Sequence, residues 1–184
     1  MKILFLGDVV GPSGCNSVIS YLPQIKKKNQ INFVIVNGEN AADSGVGITE
    51  KITKDLFNSG VDVITTGNHV WDQKETIKHI TREKRLLRPE NLLMDTPGSG
   101  FEIYKTPSGA KIAVLNLMGN IFMKKCENVF IATEKIFNKF KLKRDADFIV
   151  VDFHGEITSE KMAIGHLFDG KATMVVGTHT HVPT

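Results

Sequence analysis

Cysteine is scarce. Cys15 and Cys126 are the only two in 184 residues. Two thiols make no disulfide framework, which excludes the stapled secreted scaffolds and points to a reducing cytoplasm. Cys15, near a helix start, reads as an ordinary free thiol. No apolar run approaches the roughly 20 residues that span a bilayer. Residues 1–8 are apolar but run at once into an acid, so they read as a first strand and not as a signal peptide. Arginine-rich or aromatic-interleaved patches are missing, which argues against a nucleic-acid groove. Repeats, low-complexity tracts and linkers are also missing. What remains is ordinary: 41% hydrophobic and 23% charged residues suit one globular domain over residues 1–184 with a core of its own. The net charge of +3 accords with a phosphorylated substrate, and the short lysine groups read as solvated faces.

Apolar runs alternate with helical patterns. Residues 2–7, 33–36, 61–65, 148–153 and 172–176 read as strands. Helices are expected over 16–27, 49–58, 73–84, 129–141 and 158–168. Pro23 predicts a kink or break in the first. Thr49 and Thr158 are expected N-caps, with Gly60 and Gly170 as stops. Residues 100–105 and 111–117 flank Thr106-Pro107-Ser108-Gly109, a hairpin signature. Fully apolar strands between helices predict an α/β fold with mostly parallel strands.

In such folds ligands gather beyond the carboxyl ends of the strands. Five strand ends carry Gly7-Asp8, Asn37-Gly38-Glu39-Asn40, Gly67-Asn68-His69, Asp152-Phe153-His154-Gly155-Glu156, and Thr178-His179-Thr180-His181. Four of six histidines fall there. His79 and His166 fall in predicted helices and read as surface or packing residues. Oxygen and imidazole donors without cysteine suit Mn, Fe, Zn or Ni. Seven or eight candidate ligands are too many for one ion. They suit two ions bridged by a carboxylate, an arrangement that activates water and clamps a phosphoryl group.

Gly7-Asp8, Gly38-Glu39-Asn40, Gly67-Asn68-His69 and Gly177-Thr178-His179-Thr180-His181 together resemble the ordered motifs of calcineurin-like metallophosphoesterases. Asn37-Gly38-Glu39-Asn40-Ala41, Gly67-Asn68-His69-Val70-Trp71-Asp72, Val151-Asp152-Phe153-His154 and Thr178-His179-Thr180-His181-Val182-Pro183-Thr184 resemble the YmdB-like bacterial branch more narrowly. The resemblance implies a layered α/β sandwich, with a mostly parallel first sheet and a hairpin in the second. It implies a cytoplasmic phosphodiesterase acting on phosphodiesters, notably 2′,3′-cyclic nucleotides, by metal-activated hydroxide. It implies that Asp8, Glu39, Asn40 and His181 hold one ion. Glu39, Asn68, His154 and His179 would hold another, and His69 would give a proton to the leaving oxygen. Iron is the implied metal, with manganese or zinc as substitutes. Three departures stand out. Val10 occupies the place of a usual ligand histidine, a loss the branch shares and Asn40 offsets. Asn120 stands where branch members often carry arginine, which predicts a weaker phosphate contact. Family members also continue past the histidine pair, so the strands that end their sandwich are expected to be missing here.

Several residues carry two readings. Gly45-Val46-Gly47-Ile48-Thr49 is a plain turn ahead of a helix cap or a phosphate-cradling loop. Asp72 orients His69 or caps a helix at Gln73. Glu156 is solvated or bonds a ligand. Trp71 stacks on a base or fills a core or lid. Asp152 shares a strand face with His154 and is a second candidate ligand. The alternatives to a diesterase are a phosphomonoesterase or protein phosphatase, or a metal-binding regulatory protein with RNA partners. No membrane partner is expected, and self-association stays open.

Overall fold

A computed structural model describes residues 1–93 and 95–183. Thr184, the last residue of the motif that begins at Thr178, lies outside the described residues. The chain builds two sheets packed face to face between helices. The first sheet is parallel, in the order β1 (Ile3–Leu6), β2 (Phe33–Asn37), β3 (Val63–Thr65). Helices α1 (Gly11–Asn29) and α2 (Glu50–Asn58) connect its strands, and α3 (Thr76–His79) follows β3. The second sheet runs β4 (Phe101–Lys105), β5 (Lys111–Met118), β6 (Phe148–Gly155), β7 (Met174–His179), with α4 (Val129–Lys139) and α5 (Thr158–Leu167) between its later strands. Only β4 is antiparallel; it closes the expected hairpin on β5.

Strand alternation explains the layers. In β2, Phe33 and Ile35 face the second sheet and meet Ile112, Val114 and Val150. Val34 and Val36 face the other way, onto Leu22 of α1 and Leu56 of α2. Ala113, Leu115, Ile149 and Val151 turn outward in the second sheet, onto Phe137 of α4 and Ile164 of α5. Each inner strand is therefore buried on both faces, which is why its sequence is apolar without a break. None of the helices among the described residues is long and apolar enough to cross a membrane.

Four expectations change. Helix α1 runs unbroken through Pro23. The ring sits on the exposed side, and the packing of Leu22, only 2% exposed, keeps the helix whole against the lost backbone bond. The helix expected over 73–84 shrinks to four residues. Here tertiary hydrogen bonds compete with the helix: Thr76 Oγ1 donates to Ile48 O at 2.5 Å, and Gln73 Nε2 donates to Val46 O at 2.9 Å. Thr49 caps α2 as expected, through Ile52 N–H, but Thr158 is the first helical residue of α5 and makes no cap bond. Finally, β7 does not stop at residue 176. It runs to His179, so the first histidine of the pair is itself a strand residue.

Candidate metal centre

Parallel register brings five strand ends to one edge. Gly38 lets the chain turn between two side chains, because a Cβ there would sit 2.9 Å from Ile64 Cγ2 and 3.0 Å from Ile48 Cδ1. The turn delivers Glu39, which is 1% exposed, beneath His154, which is fully buried. Glu39 Oε1 lies 2.9 Å from His154 Nε2. Glu39 Oε2 accepts the backbone N–H of His69 at 3.0 Å. Asn68 Oδ1 lies 3.1 Å from His154 Nε2, and His179 Nδ1 also lies 3.1 Å from it. His179 reaches this point on a left-handed backbone, φ +88°, at the last residue of β7. A non-glycine residue held there is strained, a feature that clusters at functional sites.

The protons of this cluster can be assigned. Asp152, fully buried one turn of the pleat below His154, accepts Thr65 Oγ1 at 2.5 Å, Thr178 Oγ1 at 2.7 Å and Asn37 Nδ2 at 3.0 Å. Burial pushes its carboxyl up to about 6, against the opposing pull of His154 and the three donors. It is still an acceptor at neutral pH, so Thr178 spends its hydroxyl proton on Asp152. The Thr178 oxygen, 2.9 Å from His154 Nδ1, then accepts Nδ1–H. His179 Nε2 lies 2.9 Å from the Glu156 carboxylate and donates to it. Both rings are thereby fixed with a lone pair facing inward. Four acceptor atoms converge with no proton between them: Glu39 Oε1, Asn68 Oδ1, His154 Nε2 and His179 Nδ1. Such a group holds together around a cation, or around one proton on His154. Burial lowers the basicity of His154, but the Glu39 hydrogen bond and charge outweigh it and raise the pKa. The same contact, against burial, holds the Glu39 carboxyl below its usual range. Burial and the neighbouring His154 charge hold His179 low.

A looser group adjoins. Asp8 is tied to β7 by Oδ1, which accepts His179 N–H at 3.1 Å. Its Oδ2 lies 3.4 Å from His181 Nε2 but has no hydrogen-bond partner, and Asn40 Oδ1 has none either. Both atoms are buried. Orphaned buried acceptors are rare in folded proteins and point to an ion. The donor set therefore fits metal ions: among the described residues, Glu39, His154 and His179 offer ligand atoms within 4.8 Å of one another, and Asp8, Asn40 and His181 border them.

His69 stands beside the cluster with its Nδ1 2.6 Å from Asp72 Oδ2. Lys124 Nζ reaches the other Asp72 oxygen at 3.2 Å. Against burial, these two partners hold the Asp72 carboxyl below its usual range. Asp72 thus orients His69 and caps nothing, since α3 begins at Thr76. Glu156 is paired with His179 and not merely solvated. Asp152 props His154 from behind and does not face the cluster. Asn120 does not face it either: its amide donates to Cys126 Sγ at 3.2 Å and Glu127 O at 3.0 Å, and its oxygen accepts Val129 N–H at 3.0 Å. Gly45 closes a turn by donating its N–H to Ala42 O at 2.7 Å, and Gly45 and Gly47 both have positive φ. His79 is buried and His166 exposed, away from the cluster as expected. The sequence reading gave Thr178 and Lys124 no role, and left Glu156 between solvent and a ligand without finding its bond to His179. Only Thr178 left a signal, since strand alternation puts it beside His154 once the register is known.

Known proteins share this architecture. The YmdB-like protein family matches residues 4–184. A 2′,3′-cyclic-nucleotide 2′-phosphodiesterase of Bacillus subtilis is 45% identical over 184 residues, which is all of this chain and 68% of that protein. The crystal structure of a hypothetical protein from Thermus thermophilus superimposes with a TM-score of 0.91 at 40% identity, covering the whole chain and 69% of that structure. A phosphatase structure from Mycoplasma pneumoniae gives 0.89 at 40% identity, covering 100% and 66%. The chain thus spans about two thirds of the length of the relatives it matches.

Proposed function

The chain belongs to the YmdB-like family of metallophosphoesterases, and on that premise we propose that it is a dinuclear metal-dependent phosphodiesterase acting on 2′,3′-cyclic nucleotides. The observation that carries the proposal is the convergence of four ligand atoms on one point, beside two orphaned buried acceptors. Glu39, Asn68, His154 and His179 would hold one ion, and Asp8, Glu39, Asn40 and His181 the second, with Glu39 common to both sets. Iron is the preferred metal, with manganese or zinc as substitutes. Bound ions supply Lewis-acid stabilisation of the phosphoryl oxygens and an acidified water.

The remaining work falls to side chains of this chain. His69 gives a proton from Nε2 to the departing ribose oxygen, because Nδ1 is committed to Asp72. Its backbone N–H is bonded to Glu39 Oε2, so proton donor and shared carboxylate are fixed to each other. Thr178 and Asp152 hold His154 in the tautomer that presents Nε2, and Glu156 does the same for His179 Nδ1. The Bacillus relative is named for the bond to the 2′ oxygen; the same cut here leaves a 3′-phosphate. Purified protein reconstituted with iron or manganese should hold about two ions per chain and hydrolyse 2′,3′-cyclic AMP and bis-p-nitrophenyl phosphate. Protein that stays inactive on both after reconstitution would sink the proposal. The phosphatase name of the Mycoplasma structure favours a monoesterase as the second reading, and p-nitrophenyl phosphate in the same panel decides between them.

A further inference from the structure

We infer that the cleft between the loop after β3 and the 119–127 loop is a nucleobase subsite, which makes the site select nucleoside cyclic phosphates over base-free ones. The inference rests on the phosphodiesterase reading above and names what the substrate carries beyond its phosphate. Trp71, Leu92, Leu93, Met118, Lys124 and Lys125 line a cleft of about 200 Å³ together with Gly67 and Asn68. Asn68 Oδ1 is one of the four converging ligand atoms, so the cleft adjoins the cluster through that residue. Sites for whole small molecules run to roughly 300–1,000 Å³. A smaller cleft leading from a phosphate site suits one planar ring system and not an entire nucleotide.

The lining has the chemistry of a stacking platform. Trp71 and Leu92 are packed against the core beneath the first sheet, so the exposed part of the indole is held in place. Leu93 is 51% exposed at the mouth, a large apolar side chain kept in water. Aromatic and aliphatic surfaces bind bases because every base offers an apolar π face, and lysines beside them favour the anionic nucleotide. The opposite wall is braced. Lys124 is tied to Asp72, the carboxylate that orients His69. Glu160 Oε1 accepts Asn120 N–H at 2.9 Å, and Glu160 Oε2 accepts Ile121 N–H at 3.4 Å. A base seated here is therefore fixed relative to both the donor cluster and the proton donor, which lowers the ordering cost of binding.

Trp71 is the sole tryptophan, so its emission reports directly on the cleft. Metal-loaded protein should show saturable quenching with 3′-AMP and none with glycerol 2-phosphate, which has the same charge and no base. Leu93→Asp should lower the ratio of kcat/KM for 2′,3′-cyclic AMP over glycerol 1,2-cyclic phosphate by on the order of tenfold. Equal response of Trp71 to both phosphates, or an unchanged ratio in Leu93→Asp, overturns the subsite. If both cyclic phosphates are still hydrolysed in that case, the phosphodiesterase reading survives. Saturable quenching by 3′-AMP that Leu93→Asp abolishes, in protein that hydrolyses neither compound, supports the subsite and removes the phosphodiesterase reading instead.

Discussion

Replacing Gly67 with alanine places one methyl group inside the donor cluster. An added Cβ would lie 2.2 Å from His154 Cδ2 and 2.4 Å from both Glu39 Oε2 and His154 Nε2. Real Cβ contacts essentially never fall below 3.0 Å, so something must move by at least 3.0 − 2.2 = 0.8 Å. The backbone has little room to give. Thr66 N–H is bonded to Asn116 Oδ1 at 2.9 Å, and Thr66 Oγ1 to Leu87 O at 2.8 Å. The movement therefore falls on His154 or Glu39. Misplacing a working group by about 1 Å costs on the order of a hundredfold. Overpacking costs about 1–3 kcal/mol, which for a chain of this size lowers Tm by roughly 2–12 °C. Gly67→Ala should thus stay folded, melt a few degrees lower, and bind Mn²⁺ about 10–100-fold more weakly by calorimetric titration. Gly165→Ala is the control: it lies in α5 with nothing within 4 Å of the new Cβ, and it should gain about 0.5–1 kcal/mol with metal affinity intact. If folded Gly67→Ala binds Mn²⁺ as tightly as the unaltered protein, then Glu39 and His154 do not hold the ion.

Other outcomes follow from the same geometry. His69→Ala should keep its metal and lose about 10²–10⁴ in kcat; loss of metal in that variant would place His69 among the ligands instead. Thr178→Val leaves His154 Nδ1–H without its acceptor and takes one donor from Asp152. Metal affinity should fall about 10–100-fold, measured by competition with a chelator dye, and an unaltered affinity would mean that the His154 tautomer is set elsewhere. Stability of the metal-free protein should depend on pH with a definite sign. The raised His154 pKa contributes stability that is full below 6.5 and lost as pH rises through the folded value. Asp152, raised from 3.8 to about 6, adds a burial penalty that grows across that interval. Glu39, lowered, contributes above 4.5 and loses its share only as pH falls below that. His179, lowered, works the other way and gains stability as pH rises to 6.5, so the thermal midpoint of metal-free protein should decline from about pH 6.5 to about pH 8, and Mn²⁺ should restore it at the upper end. A midpoint that rises over this interval without metal would contradict the assigned charges.

Much of the architecture could be read from residues that act locally. Strands buried on both faces are apolar throughout, so β2 and β6 announce themselves, and Thr106-Pro107-Ser108-Gly109 can only turn the chain between β4 and β5. Thr49 caps α2 because its hydroxyl needs only an amide three residues on. Side-chain bonds from distant segments are what misled the reading elsewhere. The helical pattern over 73–84 lost to bonds from Thr76 and Gln73 into residues 46–48, and Pro23 was overruled by the packing of Leu22.

Residue type and position at strand ends likewise offered candidate ligands without any coordinates, and the family resemblance narrowed them to Asp8, Glu39, Asn40, Asn68, His154, His179 and His181. Ligand type is a property of the single residue, and parallel strands guarantee a common edge. Tertiary structure alone decided which atom of each ring faces inward. That depends on protons shared between Thr178 and His154, between Thr178 and Asp152, and between His179 and Glu156, pairs set by the register of β6 on β7 and by the reach of the chain past it. It also decided that Lys124, 52 residues from Asp72, closes over the His69 support. No periodicity encodes a contact of that separation; only the packing of two loops creates it.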